Sequence, residues 1–184
     1  MSRSIFYTAA TLDGFLADEN DSLDWLFAQE QDEDGPMNYG AFIATIGAMA
    51  MGATTYGWIQ NHLRSSGEPW AYDIPCWVFT HRDHEAIAGA DLRFTAEDVR
   101  EVHAAMVEAA SGRDVWMAGG GDLAAQFAEA GLLDEVMVSI APVTLGAGRP
   151  LFPRRFDLRL TELARNGAFA CARYEVVGPR PPAG

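Results

Sequence analysis

Three consecutive glycines, Gly119, Gly120 and Gly121, stand between an apolar run and a helical pattern in the stretch WMAGGGDLAAQF. Because glycine lacks a Cβ atom, such a turn accepts positive φ angles and lets a ligand approach the main chain. The unpaired amides at the start of the following helix are suited to a pyrophosphate. The spacing is not the G-x-G-x-x-G of a dinucleotide-binding unit, and a tight strand-to-helix turn explains the glycines equally well.

A second glycine turn, MGATTYG, places two hydroxyl side chains, Thr54 and Thr55, at the start of another helical pattern. Threonine at this place either caps the helix or donates a hydrogen bond to a phosphate, and capping is the more common role. Like the three glycines, this turn therefore fits either a structural role or a phosphate-binding role.

The apolar run IPCWVFT ends in His81 and Arg82. An arginine at the carboxyl end of a strand suits a bidentate phosphate contact, although a solvated surface arginine is the more common outcome. His81 and His84 are spaced like metal ligands, but two histidines without a third ligand do not define a metal site. We expect no metal.

The composition restricts the class of ligand. A formal net charge of −13 over 184 residues argues against nucleic acid and anionic membranes as partners. An anionic ligand would need a local source of positive charge, such as one arginine or a helix N-terminus. Cys76 and Cys171 each lie in an apolar run, which predicts buried reduced thiols, and the sequence contains no C-x-x-C. With neither a signal peptide nor a membrane span evident, we expect a soluble cytoplasmic protein.

Apolar, β-rich runs alternate with helical patterns along the chain. The runs IFYTAATL, IGAMAMG, IPCWVFTH, DVWMAG and LLDEVMVSIAPV predict strands. The patterns in residues 37–46, TTYGWIQNHL, 95–110 and 122–130 predict helices. Two alternating strands joined at Asn166-Gly167 predict a final hairpin.

This order predicts an α/β fold with a mostly parallel central sheet, helices on both faces and a C-terminal antiparallel hairpin. We expect one domain over residues 1–178 and a disordered tail over 179–184. In such sheets ligands bind beyond the carboxyl ends of the strands, where the turns at Gly14, Gly52 and Gly119 fall.

The motifs TLDGFLA…LDWL, MGATTYGWI, VFTHRD, VWMAGGGDLAAQF and LLDEVMVSIAPVTLGAGRPLF occur in this order over residues 4–176. Together they resemble the dihydrofolate reductase superfamily, and most closely the branch related to the C-terminal reductase domain of bacterial riboflavin biosynthesis proteins. The resemblance implies a three-layer α/β/α dihydrofolate reductase-like fold, usually dimeric. It also implies that the protein binds NADPH and reduces a pterin- or pyrimidine-like heterocycle.

The resemblance assigns cofactor contacts position by position. The second glycine turn would face the phosphates, His81 and Arg82 the adenosine 2′-phosphate, and the three glycines the pyrophosphate and nicotinamide ribose. The loop 12–17 would flank the nicotinamide. The implied cofactor residues are Leu16, Gly52, Thr54, Thr55, His81, Arg82, Ala118, Gly119, Gly120, Gly121 and Leu123.

Two departures from the family pattern bear on these assignments. Many members carry arginine directly after the first glycine of the second turn, where this chain has Ala53. Arg82 then becomes the main candidate for recognising the 2′-phosphate. The cysteine–histidine signature of the zinc deaminase half of the bifunctional riboflavin enzymes does not occur in this sequence.

The proton donor on the substrate side has three candidates. In dihydrofolate reductases an acid five residues after a loop tryptophan helps to protonate the pterin, and counting from Trp25 reaches Glu30. Asp24 and Asp13 are the alternatives, because the reaction needs a partly desolvated carboxyl with a raised pKa. The resemblance places Trp25 near the substrate, and Arg149 either binds substrate or stabilises its own loop.

The sequence thus predicts an NADPH-dependent reductase that acts on a C=N or C=O group of a small heterocycle, either riboflavin-pathway-like or dihydrofolate reductase-like. The alternative is a non-catalytic nucleotide-binding module that keeps the fold and binds NADPH without turnover. Ala53 and the uncertain acid favour the alternative.

Overall fold

The computed structural model describes residues 2–182, which form a central sheet covered by helices on both faces. The strands are β1 (Ser4–Thr11), β2 (Phe15–Ala17), β3 (Ile46–Gly52), β4 (Cys76–Phe79), β5 (Leu92–Thr95), β6 (Asp114–Gly119), β7 (Glu135–Ala141), β8 (Arg149–Pro150), β9 (Phe156–Asn166) and β10 (Phe169–Pro179). The helices are α1 (Asp24–Phe27), α2 (Tyr39–Ile43), α3 (Ala53–Ser66), α4 (Val99–Ala109) and α5 (Gly121–Glu129).

The large sheet has the strand order β5-β4-β3-β6-β1-β7-β10-β9. Its first six strands run parallel to one another, β10 pairs antiparallel with β7, and β9 pairs antiparallel with β10. The predicted three-layer fold and its C-terminal hairpin are therefore confirmed. A separate two-stranded sheet pairs Ala17 of β2 with Arg149 of β8, and this pairing ties two distant loops together.

The hydrophobic core is divided by the sheet. On one face Phe6 packs with Val102 and Met106 of α4 and with Phe127 of α5. On the other face Ile5 belongs to the cluster that α2 and α3 cover. This division follows from the strand period of two, which sends neighbouring side chains to opposite faces. Helices on both faces explain why these strands read as continuous apolar runs.

Both cysteines are free and buried, as predicted. Burial raises the pKa of the Cys76 thiol to about 12, so this thiol stays protonated at neutral pH. Within residues 2–182, no helix has the length and apolar character that a membrane crossing requires.

Two predicted helices are shorter in the structure. The helix expected over residues 95–110 begins only at Val99, because Thr95 is paired in β5 and the Asp98 side chain caps the helix by accepting from Arg100 N–H. The helix expected over 37–46 covers Tyr39–Ile43, because Asn38 caps it and β3 begins at Ile46. In both cases a side-chain cap sets the first residue.

Residues 179 and 180, the first two of the expected tail, make backbone contacts with the rest of the chain. Pro179 is the last residue of β10, and the Arg180 backbone N–H donates to the Arg155 carbonyl at 2.9 Å. Residues 183 and 184 of the expected tail lie outside the described residues. The single-domain boundary at 178 stays a prediction.

Candidate active site

A cavity of about 570 Å³ opens where the parallel strands end. Its walls come from β1, β2, β6 and β7, from the first turns of α3 and α5, and from the short helices α1 and α2. The sequence-predicted residues in this wall are Leu16, Thr54, Thr55, Ala118, Gly119, Gly120, Gly121 and Arg149. The fold thus brings together eight predicted residues that span more than 130 positions of sequence.

Two helix N-termini face this cavity without a side-chain cap. The N-cap residues of α3 and α5 are Gly52 and Gly120, and within residues 2–182 no side chain accepts a hydrogen bond from either first turn. The helices α2 and α4, by contrast, are capped by Asn38 and Asp98. The free amides and the positive ends of two helix dipoles therefore point at one place, which is the electrostatic arrangement that an anion needs.

Thr54 and Thr55 lie inside the first turn of α3 and do not cap it. The structure therefore excludes the capping role, which is the more common role of threonine at the start of a helix. Both residues line the cavity.

The three glycines serve different purposes. A Cβ atom on Gly119 would lie 2.6 Å from Thr55 Oγ1, and one on Gly121 would overlap the backbone carbonyl oxygens of Pro150 and Leu151. Close packing within the chain thus requires these two glycines. Gly120 has a φ of +84°, and the nearest atom to a Cβ there, Leu123 Cβ, lies 3.8 Å away. Gly120 supplies the left-handed turn and leaves its surface open toward the cavity.

The remaining predicted cofactor residues lie beside the cavity or beneath it. His81 and Arg82 are exposed and follow β4, whose last residue pairs with Gly52, so they share the sheet edge with the α3 N-terminus. Leu123 is buried in the core cluster beneath α5. Its contribution is therefore to seat α5 on the sheet.

The three candidate acids stand outside the cavity wall. Asp13 is exposed, and its carboxylate accepts from Thr11 Oγ1 at 2.6 Å and from the backbone N–H groups of Leu145 and Gly146. These hydrogen bonds, led by that from Thr11, lower the pKa of Asp13, which is opposite to the shift that a proton donor needs. Asp13 thus ties the turn after β1 to the loop after β7.

Asp24, Glu30 and Trp25 are likewise not among the residues that line the cavity. Asp24 and Glu30 are exposed, and the Glu30 backbone carbonyl accepts from Ala168 N–H. Trp25 is buried in a small cluster with Phe169 and Cys171. Leu23 and Leu26, rather than Trp25 itself, line the cavity.

The comparisons with known proteins agree with this geometry. The sequence model of the RibD C-terminal domain family matches residues 59–171, more than half of the chain. This chain belongs to the RibD C-terminal domain family. Two proteins of Bacillus subtilis (strain 168), the uncharacterized YwjB and YyaP, are 31% and 28% identical to this family member over 82% and 86% of each chain.

Solved structures of similar fold include riboflavin-biosynthesis proteins and a dihydrofolate reductase. A Shewanella sp. PV-4 protein provisionally assigned to riboflavin biosynthesis has a TM-score of 0.76 at 21% identity, covering 95% of this chain and 98% of that chain. RibD of Acinetobacter baumannii has a TM-score of 0.66 at 14% identity, over 96% of this chain and 58% of that chain. Dihydrofolate reductase from Enterococcus faecalis, complexed with NADP(H), has a TM-score of 0.57 at 12% identity, over 95% and 96%. These similarities confirm the dihydrofolate reductase-like fold of this RibD C-terminal domain.

Sequence reasoning missed several residues in the cavity wall of this RibD C-terminal domain. Asp21, with a φ of +61°, binds Arg149 through two hydrogen bonds. Aromatic rings form much of the remaining wall: Tyr7, Tyr39, Trp58, Trp116 and Phe169. Helical spacing could have identified Trp58, because this residue lies one turn after Thr54 and therefore shares its face of α3.

Proposed function

We propose that this RibD C-terminal domain is an NADPH-dependent reductase of a small pterin- or pyrimidine-like heterocycle. The observation that carries the proposal is the pair of uncapped helix N-termini, α3 and α5, at one cavity. Their amides, with the Thr54 and Thr55 hydroxyls, would hold the cofactor pyrophosphate. When bound, the cofactor supplies a hydride from C4 of its nicotinamide to a C=N or C=O group of the substrate.

The adenosine end of the cofactor would lie along the edge formed by β3 and β4. Arg82 stands at that edge and is exposed, so its guanidinium is available for a 2′-phosphate. This placement supports NADPH over NADH although Ala53 replaces the arginine found in many family members.

The substrate would lie beyond Ala118 and Gly120, against β1 and β7. There the protein orients the ring between aromatic side chains and excludes water from it, which is the main contribution of the chain to a hydride transfer. The substrates of the family's two branches, 5-amino-6-(5-phosphoribosylamino)uracil and dihydrofolate, are the first compounds to test.

The experiment measures binding and turnover separately. NADPH and NADH are titrated while tryptophan fluorescence is followed, because Trp58 and Trp116 line the cavity. Absorbance at the reduced nicotinamide band then reports turnover with each heterocycle. We expect NADPH to bind more tightly than NADH and to be oxidised only when a heterocycle is present. Absence of binding by either cofactor would overturn the proposal.

A non-catalytic module that binds NADPH without turnover is the second candidate. It is favoured by one observation, namely that Asp13, Asp24 and Glu30 all stand outside the cavity wall. Tight NADPH binding with no oxidation by any heterocycle would select this candidate.

We also propose that the protein forms a homodimer, with β9 in the interface. This strand is at the edge of the sheet and pairs only through its β10 side within residues 2–182. Three of its leucines are exposed, among them Leu160 at 52% and Leu163 at 68%. An edge strand of 11 residues that carries three exposed leucines is suited to association with a second copy. We further propose that the protein is cytoplasmic, as the sequence predicts.

A further inference from the structure

The turn of the β9–β10 hairpin contacts the 28–38 loop, which leads from α1 to α2. Asn166 in this turn is only 1% exposed, and its side-chain amide meets the loop at three places. Its Oδ1 accepts from the Asp32 backbone N–H at 2.8 Å, and its Nδ2 donates to the carbonyl oxygens of Asp32 at 3.0 Å and Pro36 at 3.1 Å. One buried side chain therefore holds both ends of the segment 32–36.

Two glycines let the loop and the turn approach each other closely. A Cβ atom on Gly35 would lie 2.8 Å from Cγ, Oδ1 and Nδ2 of Asn166. Gly167 has a φ of +58°, and a Cβ atom there would overlap the Glu30 carbonyl oxygen. The same oxygen accepts from the Ala168 backbone N–H at 2.9 Å. The two segments thus fit each other without room for one added carbon atom.

The loop and the turn also supply part of the cavity wall. Gln31 directly precedes the segment that Asn166 holds, Tyr39 directly follows the loop, and Phe169 directly follows the turn. All three residues line the cavity. Asn166 itself is not among the lining residues within 2–182. It can therefore affect the shape of the cavity only through the residues that it holds.

The start of α2 is fixed to the same segment. Asn38, which caps α2, donates from its Nδ2 to the Gly35 carbonyl oxygen at 2.8 Å. The Tyr7 hydroxyl donates to the Met37 carbonyl oxygen at 3.2 Å. The Tyr7 ring is stacked on that of Tyr39, with centroids 6.4 Å apart and planes 15° from parallel. A shift of the segment 32–36 would therefore reach Tyr39 through the cap of its own helix.

The wall held in this way lies away from the two uncapped helix N-termini. Tyr7 and Phe169 belong to β1 and β10, whereas α3 and α5 follow β3 and β6. In the sheet, β1 and β7 separate β10 from β6. A change at Asn166 should consequently act on the side of the cavity proposed for the heterocycle and leave the side proposed for the cofactor intact.

We propose that Asn166 is a positioning residue for the substrate, because it holds the 28–38 loop so that Gln31 and Tyr39 form the wall against which the heterocycle binds. The inference rests on the proposed reductase function and deepens it by assigning substrate binding, separately from cofactor binding, to the hairpin turn. Residues 31–34 are exposed, so water can hydrate their backbone groups once the amide is removed. Loss of the Asn166 side chain should therefore release the loop without unfolding the sheet.

Asn166→Ala tests the inference by binding. Dissociation constants for NADPH, dihydrofolate and 5-amino-6-(5-phosphoribosylamino)uracil are measured by quenching of tryptophan fluorescence, well below the midpoint of thermal unfolding. We expect the heterocycle that the wild type binds to lose at least about tenfold in affinity, and NADPH less than about twofold. An unchanged affinity for the heterocycle, equal losses for both ligands, or no binding of either heterocycle by the wild type would overturn the inference.

Gly35→Ala reaches the same contact from the loop. Its Cβ atom would strike the Asn166 amide, so this variant should also weaken binding of the heterocycle and spare NADPH. In the Asn166→Ala chain the same substitution should add less than about twofold, because the side chain that it would strike is gone. Losses that simply add would show that the two residues act separately and would overturn the inference.

Thr161→Val is the matched control. Thr161 lies in the same strand as Asn166, and its hydroxyl donates to the Arg173 carbonyl oxygen at 3.1 Å, away from the hairpin turn. Valine removes one hydrogen bond from a side chain to the backbone and should leave the affinity for both ligands unchanged. A loss of affinity for the heterocycle as large as that of Asn166→Ala would overturn the inference.

Hydrogen exchange provides a measurement without ligand. The amides of residues 30–38 should exchange faster in Asn166→Ala than in the wild type or in Thr161→Val, while those in the first turns of α3 and α5 stay unchanged. Unchanged exchange over residues 30–38 would show that the side chain does not hold the loop and would overturn the inference.

The measurements distinguish this inference from the proposed function. Binding of a heterocycle that depends on Asn166, without oxidation of NADPH by the wild type, would contradict the reductase and leave the role of Asn166 standing. NADPH oxidation that Asn166→Ala retains with an unchanged KM for the heterocycle would contradict the role of Asn166 and leave the reductase standing.

Discussion

Gly119 packs so closely against Thr55 that a Cβ atom on the glycine would lie 2.6 Å from the threonine Oγ1 and 2.7 Å from its Cγ2. This contact joins the end of β6 to the first turn of α3, and both line the candidate cofactor site. The relative position of the two helix N-termini therefore depends on residue 119 having no side chain.

Gly119→Ala should consequently destabilise the protein and weaken NADPH binding. We expect the free energy of unfolding to fall by about 1–3 kcal/mol, because overpacking forces the two segments apart. Urea unfolding measures this change. Thr55→Ala in the same chain removes both clashing atoms and should restore part of the loss in stability.

Gly57→Ala provides the control for that substitution. Gly57 lies within α3, and a Cβ atom there has no described neighbour within 4 Å. Alanine should raise the free energy of unfolding by roughly 0.5–1 kcal/mol, as expected for a glycine inside a helix. If Gly119→Ala were as stable as Gly57→Ala, the contact with Thr55 would not be as close as the structure shows.

Arg82→Ala should weaken the binding of NADPH more than that of NADH. The expected loss for NADPH is about 1–3 kcal/mol if the guanidinium makes a charge-assisted contact to the 2′-phosphate. Fluorescence titration of both cofactors measures the difference. Arg113→Ala is the control, because Arg113 is exposed next to the start of β6, at the opposite edge of the sheet. Equal losses for the two cofactors would exclude Arg82 from 2′-phosphate recognition.

Asp13→Ala should make stability less dependent on pH in the acid range. Hydrogen bonds lower the pKa of Asp13 in the folded state below its ordinary value of 3.8, so the ionised carboxylate stabilises the fold above that value. This contribution is lost as the pH falls through the lower folded-state pKa. The urea midpoints of the wild type and the variant should therefore differ at about pH 7 and converge near about pH 2.

The same variant addresses the proton donor. If Asp13 only holds the loop at Leu145 and Gly146, Asp13→Ala should retain measurable NADPH oxidation with a shifted midpoint of unfolding. Complete loss of turnover with unchanged stability would instead identify Asp13 as the donor.

Leu160→Glu should convert the proposed homodimer into a monomer. The side chain is 52% exposed on the edge strand β9, and a charge there is unfavourable once a second copy covers it. Light scattering after size-exclusion chromatography measures the mass. Leu12→Glu is the control, since Leu12 is 69% exposed and lies far from β9 in the sheet order. A monomeric wild type, or a dimer that both variants retain, would contradict an interface at β9.

Much of the fold was readable from local patterns. Apolar runs such as IGAMAMG and DVWMAG predicted β3 and β6, and the glycine turns that follow them predicted where a ligand site would form. Helix starts were less predictable, because Thr95 and Asp98 both suit a cap and only the pairing of Thr95 in β5 decides between them. The choice of proton donor among Asp13, Asp24 and Glu30 stays a prediction, because position along the chain does not specify where a loop side chain points.

The sequence by itself determined the α/β order of elements, the family and the turns at the carboxyl ends of the strands, because these depend on residue periodicity and on neighbours along the chain. Only the tertiary structure decided what Gly119 and Gly121 are for, and that Arg149 is neutralised by Asp21, 128 residues away. Such relationships depend on the packing of distant segments, and no local pattern encodes the distance between them.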